Sequence, residues 1–179
     1  KSTIARRVAK ELSFIYVDTG AMYRAMALYL LHKNVDRTNT EQIGEVCQNA
    51  EISIEYQNDE QIVLLNGENV NAYLRTEEVG NMASVSSAVP RVREKLLSLQ
   101  RKLAKDMSVV MDGRDIGTTI LPDADVKIYL TASSLTRAKR RYLELQEKGT
   151  VCDLDNIQKD IEERDQRDMN REISPLRQA

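Results

Sequence analysis

The sequence has no tryptophan, a single phenylalanine and a single histidine. The aromatic scarcity argues against a nucleic-acid reader built on base stacking. With one histidine, Ser-His-Asp chemistry would rest on His32 alone, in a segment of helical spacing where an exposed or packed imidazole is the simpler reading. Cys47 and Cys152 stand far apart without a CxxC or Cys/His companion. That spacing excludes a zinc site and a disulfide framework, and reads as two reduced thiols in a cytoplasmic protein. No apolar run is long enough to span a bilayer, and the basic start is not followed by a signal-peptide core. A basic excess is also missing: 26 Lys and Arg against 28 Asp and Glu leave a formal charge of -2. A general binder of nucleic acid or membrane surface normally carries one, so no stable nucleic-acid or membrane partner is expected.

What is present is an ordinary globular composition, 41% hydrophobic and 30% charged over 179 residues, enough for one core and a small insert. Apolar positions Ile4, Ala5, Val8, Ala9 and Leu12 follow helical spacing directly after Lys1-Ser2-Thr3. Phe14 to Val17 reads as a buried strand ending in Asp18-Thr19-Gly20, and Met22 to Leu31 as a helix. Such alternation argues for a parallel sheet. From Asn34 to Arg75 the texture changes to a helix, Glu41 to Ala50, and an antiparallel meander, Ile52 to Tyr56, Gln61 to Leu65 and Glu68 to Tyr73. Asn58-Asp59 and Asn66-Gly67 are the turn signals. Thr76 caps a helix to about Ser87, and Pro90 starts another to about Lys105. Val109 to Met111 then reads as a buried strand, and Val126 to Leu130 as a further central one. Helices follow from Ser134 to near Gly149 and from Asn156 to Arg171.

Charged groups gather where these elements end. Asp112-Gly113-Arg114-Asp115 follows an apolar strand, and ligands bind at the carboxyl ends of strands in open α/β sheets. Arg114 offers a five-donor fork beside the acceptor-only carboxylate of Asp115. A solvated charged turn is the competing reading. Arg24 lies one turn into the helix that follows the first strand, and Ser84, Arg91 and Arg93 lie near a helix junction. Arg137, Lys139, Arg140 and Arg141 suit a lid over polyphosphate or a solvated face balanced by Glu144 and Glu147. Arg164, Arg167, Asp168 and Arg171 fall at i, i+3, i+4 and i+7, so they share one helix face suited to a multiply charged anion. Lys1-Ser2-Thr3 has the form of the end of G-x-x-x-x-G-K-[ST], a phosphate loop whose glycines would lie before residue 1. In such a loop Lys1 reaches the outer phosphates and Ser2 ligates magnesium.

Taken together, these stretches resemble the bacterial cytidylate kinases, nucleoside monophosphate kinases of P-loop fold. The resemblance rests on Lys1 to Thr3, Asp18 to Arg24, Arg75 to Val79, Pro90 to Arg93, Asp112 to Gly117 and Glu163 to Arg171, in that order. It implies an α/β, P-loop NTPase-type parallel sheet flanked by helices, with a small antiparallel insert and a helical lid. Residues 1-34 and 76-179 would form the core kinase domain, with the lid at about 134-155, and residues 35-75 the monophosphate-binding insert. The implied activity is ATP-dependent phosphorylation of CMP and dCMP, by a cytoplasmic monomer. Ser84, Arg93 and Asp115 match positions that contact cytosine or its surroundings, with Thr19 beside them. Arg24, Arg114 and Arg171 match phosphate-binding arginines. Arg164 and Asp168 match the monophosphate side, with Asp168 accepting from sugar hydroxyls. Lys1, Ser2 and Thr3 match the ATP loop, with Mg2+ on Ser2, and Arg140 and Arg141 match the lid.

The resemblance also implies that the glycine-rich half of the loop and the family's last strand and helix lie outside this sequence, which is expected to weaken ATP binding. The rival readings are a related P-loop kinase for another acceptor, such as UMP or AMP, and a non-catalytic nucleotide-binding protein.

Overall fold

The computed structural model describes residues 1-58 and 60-179. The first helix, α1, spans Ser2–Leu12 and ends at Ser13, whose φ of 54° turns the chain back. Strand β1 (Ile15–Asp18) follows and pairs in parallel with β5 (Val109–Asp112). The register sets Ile15 opposite Val109 and Asp18 opposite Asp112, so both strands run out at the same level and deliver a carboxylate there. Parallel pairing demands a long crossover between the strands, and the rest of the amino-terminal half supplies it.

Helix α2 (Thr19–His32) starts on the Asp18 side chain, which accepts from the Ala21 amide at 3.2 Å. It is apolar nearly all round, as a central helix must be: Met22, Ala25, Met26, Ala27 and Leu30 are fully buried. Helix α3 (Thr40–Val46) runs into a short 3-10 turn at Cys47–Asn49. Strands β2 (Ile52–Gln57), β3 (Glu60–Leu65) and β4 (Glu68–Asn69) then form an antiparallel sheet in sequence order. Asn66 and Gly67, at φ 50° and 84°, make the two-residue connection that the Asn-Gly pair predicts. Of the Asn58-Asp59 turn signal, Asp59 lies outside the described residues. Helices α4 (Glu77–Ser86), capped by Thr76, and α5 (Pro90–Asp106), with Pro90 at its first turn, lead back to β5. Beyond β5 a π-helical turn covers Ile116–Ile120, and α6 (Ser134–Glu147) and α7 (Leu154–Asn170) form a packed pair.

One continuous core joins the elements from β1 to β5. Val17 of β1, Met22 and Met26 of α2, Val79 and Met82 of α4, and Val92 and Leu96 of α5 pack with Ile43, Cys47, Val63 and Leu65 of the 35-75 segment. Helix α2 lies between the two sheets and touches both.

Two expectations need correction. Val126 to Leu130 is not a strand: the segment has no regular structure and no ladder partner among the described residues. Val126 is 74% and Ile128 82% exposed, so the apolar run alone carries no pairing. The third strand of the meander is also shorter than Glu68 to Tyr73. It stops at Asn69 because Asn71 turns its side chain onto the backbone of β3, donating to Gln61 O at 2.9 Å and accepting from Val63 N at 2.9 Å.

Candidate functional site

The carboxyl ends of β1 and β5 hold the first group of polar residues. Asp112 ends β5 and is buried. Its carboxylate accepts from Lys1 Nζ at 2.6 Å and from the Tyr16 hydroxyl at 2.9 Å, with the Ser2 hydroxyl beside it. Burial works to raise the Asp112 pKa. The Lys1 charge and the hydrogen bonds from Lys1, Ser2 and Tyr16 outweigh it and hold the carboxyl below its ordinary value. Desolvation pushes the Tyr16 phenol well above its usual range, so it remains a donor. Thr19 Oγ1 donates to Asp112 O at 2.9 Å and fastens α2 to the strand end. Gly113 is required at the turn, since a Cβ there would come within 2.6 Å of both Ile116 Cδ1 and Thr19 Oγ1.

The second group is a buried ion pair. Arg93, on the inner face of α5, donates to Asp115 and, at 3.0 Å, to Ser87 O. Its guanidinium lies 5.6 Å from the centroid of the Tyr23 ring. Both members of the pair are buried, at 7% and 5% exposure. Ser84, on α4, is half-buried, and its carbonyl accepts from Ser87 Oγ.

The third group is the arginine cluster. Asp168 of α7, also buried, pairs with Arg114, lies 3.6 Å from Arg171 Nη1 and 4.0 Å from Arg164 Nε. Arg171 Nε donates to Ser174 O at 2.7 Å, while Arg171 Nη2 and Arg164 Nε are buried without a hydrogen bond among the described residues. Arg24 reaches in from α2 and donates to Leu74 O at 2.9 Å. One carboxylate is too little for this much positive charge. Desolvation, together with the charges of Arg114, Arg24 and Arg167, pushes the Arg164 pKa down to about 10. Burial, then the charge of Arg75, Arg114 and Arg141, lowers that of Arg24. Burial and Arg93 lower that of Arg171. An added anion would relieve both the unfilled donors and the mutual repulsion of these guanidiniums.

A family model for cytidylate kinase matches residues 1-179. The cytidylate kinase of Caldicellulosiruptor saccharolyticus is 49% identical over the whole of this chain and 79% of its own length. That of Lactobacillus johnsonii is 49% identical over the whole chain and 78% of its own length. That of Bacillus cereus is 47% identical, covering the whole chain and 80% of its own. The chain belongs to the cytidylate kinase family.

For a member of the cytidylate kinase family, the parallel β1 and β5 pair flanked by helices, with a small antiparallel sheet, agrees with a P-loop kinase fold. Of the positions that the resemblance singled out, the structure brings Thr19, Arg24, Arg93, Arg114, Asp115, Arg164, Asp168 and Arg171 into one neighbourhood. Lys1 and Ser2 stand together at the end of β5, whereas Thr3 is exposed on α1. Arg141 pairs with Glu144 at 3.6 Å and adds its charge near Arg24, while Arg140 is exposed. On α6, Arg137 forks onto Asp165 of α7 and Ser134 Oγ donates to Glu162 at 2.7 Å.

Asp112, which the sequence marks only as the end of an apolar strand, is the acceptor that gathers Lys1, Ser2 and Tyr16. Its position at a strand end next to Gly113 was the available signal. Gln61 was missed altogether. Its side-chain amide accepts from Asp18 N at 2.8 Å and donates to Asp18 O at 3.2 Å, tying β3 to the end of β1. No spacing rule marks a glutamine for that task.

Proposed function

We propose that this chain catalyses ATP-dependent phosphorylation of CMP and dCMP to the diphosphates by in-line phosphoryl transfer. The observation that carries the reading, in a member of the cytidylate kinase family, is the convergence of Arg114, Arg164 and Arg171 on Asp168, with the charge of Arg24 acting on Arg164, beside the buried Arg93 and Asp115 pair. The cluster suits the acceptor phosphate and the pair suits a base edge. Asp115 accepts from the exocyclic amine of cytosine while Arg93 donates to the acceptor edge. Uracil carries a carbonyl in place of the amine and meets a carboxylate there. Ser84 and Thr19 are assigned, from the resemblance, to the surroundings of the base. Asp168 accepts from sugar hydroxyls, with Arg164 beside it.

Phosphoryl transfer needs alignment of donor and acceptor and stabilisation of charge on the equatorial oxygens more than covalent help. Arg24, Arg114 and Arg171 hold the acceptor phosphate. Lys1, Ser2 and Thr3 face the donor, and Arg140 and Arg141 belong to a lid over it, at about residues 134-155. A transition-state arginine is worth roughly a thousandfold or more in rate. Closure that needs both substrates excludes water and limits wasteful ATP hydrolysis.

The residues at the end of β5 fit a Mg2+ ion. Among the described residues no cluster of three or more His, Cys, Asp and Glu side chains could hold a metal. Magnesium, however, is held through few protein oxygens and substrate phosphates, and the Ser2 hydroxyl beside the Asp112 carboxylate offers that donor set. When bound, the ion supplies charge neutralisation on the donor phosphates. We assign residues 1-34 and 76-179 to the core domain and 35-75 to the monophosphate-binding insert, in a monomer working in the cytoplasm. No helix among the described residues is long and apolar enough to cross a membrane.

The test is ADP formation from ATP with CMP, dCMP, UMP, AMP or no acceptor. The expected result is turnover that depends on CMP and dCMP. ADP that is independent of acceptor, or no ADP at all, overturns the kinase reading in favour of a nucleotide-binding protein without phosphotransfer.

A further inference from the structure

Gln100, on α5, is completely buried, yet neither Oε1 nor Nε2 of its amide has a hydrogen-bond partner among the described residues. A buried amide left unpaired carries its full desolvation penalty, and such groups are rare in native proteins. An apolar side chain of the same length would fill the space without that penalty. The proposed reaction assigns Gln100 nothing, so its amide needs another account.

Its surroundings supply one. Arg93 and Gln100 are seven residues apart on α5, two turns along the same face. Gln100 lines a cleft of about 150 Å³ together with Tyr23, Arg93, Asp115 and Thr119. The amide lies beside the Tyr23 hydroxyl without closing a hydrogen bond of normal geometry. Burial pushes the Tyr23 phenol above its ordinary pKa, while the Gln100 amide works the other way, as a group donating to the phenol oxygen does. The Tyr23 ring, in turn, is the surface under the Arg93 guanidinium, and Arg93 is paired with Asp115. These contacts make a line from an unsatisfied amide, through a phenol and its ring, to the two groups that read the base.

We propose that Gln100 is a positioning residue for base recognition: its amide nitrogen donates to the Tyr23 hydroxyl oxygen when a cytosine base engages Arg93 and Asp115, fixing the ring that orients Arg93. The inference rests on the base-reading role proposed above for that pair. It places the stability cost of the unpaired amide in the free protein and its compensation in the complex, which makes the two separable by experiment.

The experiment compares the full chain with Gln100→Met, of similar volume but without the amide, Tyr23→Phe, which keeps the ring and loses the hydroxyl, and the double variant. CMP affinity is measured by calorimetry, steady-state constants are measured for CMP and ATP, and thermal unfolding is followed without ligand. Gln100→Met is expected to keep or raise the midpoint of unfolding while weakening CMP binding about three- to tenfold, the range of one hydrogen bond. The loss should appear in KM for CMP far more than in kcat or in KM for ATP. Tyr23→Phe should match it, and the double variant should be no worse than either. Unchanged CMP affinity in Gln100→Met overturns the proposal, as does a lowered midpoint with CMP affinity intact, which would mark a purely structural residue. Additive losses in the double variant overturn the link through Tyr23. If Gln100→Met does not fold, unchanged CMP affinity in Tyr23→Phe has the same force. A wild-type chain that binds CMP without turning it over refutes the kinase reading alone, since CMP affinity still decides the role of Gln100.

Discussion

A buried carboxylate takes its role from its immediate partners. Asp115 has one, Arg93, and the pair is nearly dry. Asp115→Asn keeps the shape but removes the charge. It is expected to lower kcat/KM for CMP by about tenfold to a hundredfold and to narrow the preference for CMP over UMP. Breaking a buried pair also destabilises by about 3 kcal/mol, so unfolding should be measured alongside the kinetics. Unchanged kinetics for both nucleotides would remove Asp115 from base reading. Asp112 differs in that three donors surround it and its carboxyl sits below the ordinary 3.8. The folded state therefore binds fewer protons than the unfolded state between the depressed value and 3.8, and stability rises with pH across that window. The contribution is fully present above about pH 4 and is lost as pH falls through the folded value. Urea unfolding of wild type and Asp112→Asn from pH 7 to pH 3 should give curves that converge at the acid end. A constant gap would mean that the charge of Asp112 is not what stabilises. At this scale the sequence was legible wherever residues share a helix face, as Arg164, Asp168 and Arg171 do. It was silent on Tyr16, Tyr23 and Gln61, whose partners lie in other elements.

Elements in this chain are read well when their ends carry chemical signals. Thr76 and Pro90 mark the starts of α4 and α5, and Asn66-Gly67 fixes the turn between β3 and β4, because each choice depends on local backbone geometry. The apolar run Val126 to Leu130 misled because a strand is defined by its neighbour, and composition does not supply one. The π-helical turn at Ile116–Ile120 had no signal in the sequence either. How the 35-75 segment attaches was likewise decided in three dimensions. Gln61 holds both backbone groups of Asp18, and the Arg24 guanidinium takes the Leu74 carbonyl at the far end of the segment. Gln61→Leu removes two side-chain to backbone hydrogen bonds and is expected to destabilise by about 1-2 kcal/mol. Hydrogen exchange at the Asp18 amide should accelerate, with a weaker affinity for CMP. Unaltered exchange at that amide would show that the attachment lies elsewhere in the shared core.

Across the whole molecule, a net charge of -2 conceals a concentrated positive site. The depressed pKa values of Arg24, Arg164 and Arg171 record its cost. For Arg164 the unfolded state binds more protons than the folded state above about pH 10, so the shift lowers stability at neutral pH and is relieved only as pH climbs past that value. An anion should provide the same relief at neutral pH. Inorganic phosphate or sulfate is expected to raise the midpoint of thermal unfolding above that in chloride at equal ionic strength. Mass action sets the size, about 2.7 kcal/mol at a hundredfold excess over Kd. Arg171→Ala should abolish most of the difference. Equal midpoints in all three salts would mean that the guanidiniums do not form an anion site in the free protein.

By itself the sequence determined the α/β class, the order of the elements flanking β1 and β5, the family, and the arginines and carboxylates proposed above for the nucleotide. These follow from periodicity, caps and motifs that act over a few residues. Only the tertiary structure decided that Lys1 and Ser2 meet Asp112, that Arg93 rests on Tyr23, and that Val126 to Leu130 goes unpaired. Each of these depends on bringing together groups far apart in the chain, and such distances are set by packing around α2, which no local pattern encodes.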